Sequence, residues 1–121
     1  MKVAGFGFRK GAGADSLAAA LHATGETGVT HLATVAAKAT APCLTELART
    51  LSLPICAVRA EDLKDAEVAT QSVKSQKLFG TGSLSEAAAL LAAGAGARLT
   101  KPRETSPDSM ATCAIAEGND P

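Results

Sequence analysis

At 121 residues, with 46% hydrophobic side chains, the chain suits a single domain that buries roughly two-thirds of its unfolded surface without disulfide or metal staples. Twelve basic residues balance twelve acidic ones, and three phenylalanines are its whole aromatic complement, which argues against both a basic field for nucleic acid and a stacking platform for single strands. Cys43, Cys56 and Cys113 are odd in number and widely spaced, with no CxxC or HxxxH pattern, so they are expected to be reduced packing thiols, and no metal site or cofactor is expected.

Residues 2–8 alternate small and large apolar side chains with no charge inside, the pattern of an interior strand covered on both faces. A glycine-rich turn follows, then a helix with Asp15 as N-cap, Leu17 and Leu21 on one face, and Gly25 as the left-handed stop. The unit repeats. "THLATVAA" predicts a second buried strand, and Pro42 opens a helix carrying Leu44, Leu47, Ala48 and Leu51 at helical spacing. "LPICAV" predicts a third strand. Residues 61–77 predict a short helix and then an irregular segment.

"GTGSLSEAAALLAAGAG" predicts the strongest helix of the chain, with Ser83 and Glu86 at capping-box spacing and an end near Gly94. "ARLTKP" and "MATCAIA" predict two more strands separated by a polar loop, "RETSPDS". Residues 1–121 thus form one α/β domain, a three-layer α/β/α sandwich around a mostly parallel, mixed sheet, with residues 117–121 as a flexible tail. No secretory apolar region precedes Arg9, and the longest uncharged apolar run, residues 87–97, is about half the roughly 20 residues that cross a bilayer, so a soluble cytoplasmic protein is expected.

Ligands of open α/β sheets bind outside the carboxyl ends of strands. Here those ends carry Arg9 and Lys10 after the first strand, Lys38 past the second, Arg59 after the third and Lys101 after the penultimate one. A neutral protein therefore acquires one basic edge. Gly5, Gly7 and Gly11 line the first turn, although Gly5 and Gly7 equally suit close helix packing. Gly80, Thr81, Gly82 and Ser83 would add unpaired N–H groups and a positive helix end if they open on the same edge. Glu86 is first a cap and second a candidate for proton transfer; Ser83 has no histidine placed to activate it.

The dinucleotide alternative is weakened by the spacing G-x-G-x-x-x-G, one residue longer than the usual fingerprint, and by Lys38 standing where a ribose-binding acid would follow the second strand. Side-chain capture of carboxylates or phosphates by Arg9 and Lys10 fits the turn better.

The stretches "GFGFRKGAG", "ATVAAK", "LTELARTLSLP", "GTGSLSEAAALLAAG" and "LTKP" with "MATCAIA" resemble, in order and over nearly the whole chain, the CobE/CbiG C-terminal domain family of cobalamin biosynthesis. Phe8 stands where the family often has a cysteine. The resemblance implies a three-layer α/β/α fold and a precorrin or corrinoid ligand, with other corrin-pathway enzymes as candidate partners. It also implies an alternative, cobalt-precorrin-5A hydrolysis with loss of acetaldehyde. That branch carries an additional N-terminal region not seen here, so the stand-alone CobE type is expected. On this reading Arg9, Lys10, Lys38 and Lys101 pair with the macrocycle's carboxylates, beside a turn whose glycines admit the broad ring.

Overall fold

The computed structural model describes residues 1–59, 84–94 and 96–118. Along the chain come β1 (Lys2–Phe8), α1 (Ala14–Thr24), β2 (His31–Val35), a 3-10 turn (Ala36–Lys38), α2 (Pro42–Leu51), β3 (Ile55–Val58), α3 (Leu84–Ala93), β4 (Arg98–Thr105) and β5 (Ala111–Glu117). The strands form a mixed sheet in the order β3-β2-β1-β5-β4. β1 pairs parallel to β2 and β2 to β3, whereas β5 runs antiparallel between β1 and β4. β4 therefore points the same way as β1, and four carboxyl ends share one edge.

Alternation in the strands sends side chains to two different layers. Ala4 and Phe6 of β1, Leu32 of β2 and Cys113 and Ile115 of β5 meet Leu17 and Ala20 of α1 and Leu44, Leu47 and Ala48 of α2. On the opposite face Val3, Ala33, Val58 and Ala116 meet Ala87, Ala88, Ala89 and Ala93 of α3. This is the expected three-layer α/β/α sandwich, with β1 at its centre.

Helix termini follow the local chemistry with one correction. The N-cap of α1 is Gly13, without a side-chain cap, and Asp15 lies in the first turn. Gly25 ends α1 at φ 73°, and Pro42 opens α2 as expected. α3 stops before Gly94, whose φ of 99° suits a residue without Cβ.

The hairpin differs more. The first three residues of "RETSPDS" are strand: β4 continues through Pro102 to Thr105, and only residues 106–110 connect it to β5. Proline is tolerated there because β4 is an edge strand with irregular register. β5 also runs one residue past Ala116, and the N–H of Gly118 donates to the carbonyl of Met1 at 2.8 Å. Among the described residues no helix is long and apolar enough to cross a membrane.

Candidate functional site at the carboxyl edge

A cleft of about 470 Å³ opens at the shared carboxyl edge. Gly7, Phe8 and Arg9 come from the end of β1, Lys38 from the turn after β2, and Leu84 from the start of α3. Arg103 and Thr105 come from β4, Ser109 and Met110 from the hairpin, and Ala111 and Thr112 from β5. Its volume lies within the range of about 300–1,000 Å³ usual for small-molecule sites. Among these residues Phe8, Leu84, Met110 and Ala111 supply apolar surface, three cations stand around it, and none is acidic.

Each cation is placed by a different element. Arg9 is exposed, its N–H donating to the Met110 carbonyl at 2.9 Å, and its own carbonyl receives the Ala12 N–H at 3.0 Å to close the turn. Lys38 is half-buried; its ammonium donates to the Phe8 carbonyl and stands 5.0 Å from the centre of the Phe8 ring. That combination fixes the charge at the cleft while leaving ammonium hydrogens unused. Arg103, half-buried, has its backbone N–H on Glu86 Oε2 at 2.9 Å.

The glycines divide by role. Gly7 lines the cleft. Gly5 does not: a Cβ there would stand 2.1 Å from the Ser85 carbonyl oxygen and 2.6 Å from the Ala89 nitrogen, so its missing side chain is filled by α3. Gly11, at φ 95°, shapes the turn that returns β1 toward α1. Lys10 is exposed at the tip of that turn, outside the cleft lining.

Lys101 lies elsewhere than expected. It pairs with Ile115, whose side chain belongs to the α1 layer, so the register puts Lys101 on that side of β4, and Arg103 takes the position by the cleft. Glu86 is 8% exposed in the first turn of α3, its carboxylate directed to β4. Gly80, Thr81, Gly82 and Ser83, and with them the capping box, lie outside the described residues. The lining by Leu84 does place the positive end of α3 on this edge.

The hairpin wall is tied to α1. Asp108 accepts the Ser106 and Ser16 hydroxyls, each at 2.5 Å, and the Met110 N–H at 3.1 Å. These bonds, the Ser106 hydroxyl foremost, hold its carboxyl below the usual aspartate range. The thiols are of another kind. Burial pushes Cys113, Cys56 and Cys43 up, so they stay protonated, as packing side chains do. Among the described residues no group of three or more His, Cys, Asp or Glu could hold a metal ion.

The family model described as Cobalamin synthesis G C-terminus matches residues 2–116. The chain belongs to that family. Among solved structures, this member of the Cobalamin synthesis G C-terminus family is similar to the cobalamin biosynthesis protein chiG from Agrobacterium tumefaciens str. C58, at 44% identity and a TM-score of 0.78. That alignment covers 99% of this chain and 100% of that one. It is also similar to CobE, a protein from the cobalamin (vitamin B12) biosynthetic pathway, at 32% identity and a TM-score of 0.76, over 96% of this chain and 89% of the other. Curated proteins gave no match. The family places the chain among cobalamin biosynthesis proteins of the CbiG/CobE type.

Arg103 and the hairpin residues are the cleft components that strand-end reasoning missed. Treating Pro102 as an edge-strand proline would have carried β4 to Thr105 and brought Arg103 to the edge.

Proposed function

We propose that the chain binds a carboxylate-bearing precorrin or corrinoid in the cleft at the carboxyl edge of the sheet. The observation that carries this is the meeting of Arg9, Lys38 and Arg103, from three separate elements, around apolar surface from Phe8, Leu84 and Met110. A flat macrocycle edged with acetate and propionate groups presents the matching surface, an apolar plane with anions at its rim. Guanidinium and ammonium groups pair with those carboxylates, more strongly where water is displaced. Membership in a cobalamin synthesis family supports the same ligand class.

A nucleotide is disfavoured by the start of α1. A dinucleotide fold sets a pyrophosphate at that helix end, but here Asp108 brings its own carboxylate to Ser16 in the first turn.

With neither Trp nor Tyr in the chain, a bound corrinoid is visible through its own chromophore. Gel filtration with cobyrinic acid, which keeps its peripheral carboxylates, is expected to give co-elution. Arg9→Ala and Lys38→Ala are each expected to weaken binding about tenfold or more, with affinity falling as salt rises. Arg49→Ala, in the last turn of α2, is expected to be neutral. Separate elution of chromophore and protein overturns the reading. Acetaldehyde released from a precorrin lactone would assign hydrolysis to the same cleft.

A further inference from the structure

Between Lys101 and Glu104 β4 advances three residues while β5, from Ile115 to Cys113, advances two. The surplus residue falls at Pro102 or Arg103. Proline has no N–H to give to a ladder. The Arg103 N–H leaves β5 as well and donates to Glu86 Oε2 at 2.9 Å. A β-bulge of this kind re-aims side chains. Lys101 and Glu104, paired with Ile115 and Cys113, share the α1 side, while Arg103 and Thr105 line the cleft.

Glu86 is 8% exposed. A buried carboxylate is costly unless it is hydrogen-bonded, and its bond here is to the backbone of another element, at the residue whose side chain lines the cleft. The link joins the first turn of α3 to the edge strand and sets where the Arg103 side chain begins.

We infer that Arg103 contacts the ligand and that Glu86 is its positioning residue, acting through the Arg103 main chain. This rests on the corrinoid reading above. Arg103 adds a planar, two-pronged donor that a lysine does not replace. Glu86 needs only an acceptor oxygen, which glutamine also provides.

The test is an affinity series on the full chain with cobyrinic acid as the probe and cobinamide, whose side chains are amides, as the comparison without peripheral carboxylates. Arg103→Ala is expected to weaken cobyrinic acid binding about tenfold or more while changing cobinamide binding little. Arg103→Lys should restore only part of the loss. Glu86→Ala should lose as much as Arg103→Ala, the double variant should bind no more weakly than Arg103→Ala alone, and Glu86→Gln should stay within about twofold of the parent.

Additive losses in the double variant overturn the positioning role. If Arg103→Ala binds normally while Arg9→Ala and Lys38→Ala do not, this inference falls and the corrinoid reading stands; if the parent chain does not bind, both fall. Should Glu86→Ala fail to fold, Arg103→Lys decides the contact, since affinity equal to the parent overturns it.

Discussion

The two faces of the sheet are covered by opposite means. On the α1 and α2 side the layer is built from bulk: Phe6, Leu17, Leu32, Leu44 and Ile115 are all fully buried. On the α3 side it is built from closeness: Ala87, Ala88, Ala89 and Ala93 lie over a strand whose central residue, Gly5, leaves no room for a methyl group. Large side chains hold a helix away from a sheet and fill the gap, whereas small ones allow the backbone itself to be the packing surface. One consequence concerns function. α3 seated close on β1 brings its first residue, Leu84, and its positive end to the cleft beside Gly7 and Arg9.

The faces should therefore fail under opposite mutations. Phe6→Ala removes the bulk of a fully buried ring from the first face and is expected to destabilise by about 3–5 kcal/mol, measured by chemical denaturation. A cost below about 1 kcal/mol would mean that this layer collapses onto the void, and the contrast would lose its first half. Gly5→Ala adds a single methyl to the other face and is expected to cost about 2–3 kcal/mol, because the nearest obstacles are the Ser85 carbonyl and the Ala89 nitrogen and not movable side-chain tips. It should also weaken cobyrinic acid binding, since relief requires α3 to shift. Neutral behaviour of Gly5→Ala would show that α3 is not seated on this glycine.

The same contrast explains what could be read from the chain alone. β1, β2, β3, β5 and the bodies of α1, α2 and α3 follow from apolar runs and periodicity, which are clearest where both faces of a strand are buried, as in β1 and β5, and hold even in the edge strand β3, where only Val58 is buried. Arg9 and Lys38 follow from the rule that ligands meet strand ends. The sequence leaves two readings open for Gly5, since choosing between helix packing and ligand contact requires knowing what covers the strand. The sequence alone ends β4 at Pro102, which reads as a break in isolation, while on an edge strand its missing N–H costs no ladder bond. Lys101 lies away from the cleft and Arg103 lines it for a related reason. Irregular register in β4 changes which side chains share a face, and register is a property of two strands together.

Shape and apolar burial carry most of both faces, so acid offers a way to separate that packing from the hairpin wall of the cleft. That wall rests on Asp108, which takes the Ser106 and Ser16 hydroxyls and the Met110 N–H. These bonds favour the charged carboxylate, so its folded pKa lies below the ordinary value of 3.8. A group depressed in the folded state contributes stability above its unfolded pKa and loses it as pH falls through the folded value. Asp108→Asn should therefore be less stable than the parent at neutral pH, and the gap should narrow as pH falls below about 4. Because Asp108 is exposed, this effect should be the smallest of the three. Melting curves of the two proteins from pH 7 to pH 2.5 measure it, and Ser16→Ala, which removes one donor, should show part of the same convergence. A gap that stays constant over that range would mean that Asp108 holds the hairpin by its shape and not by its charge, placing the cleft wall in the same class as the two packed faces.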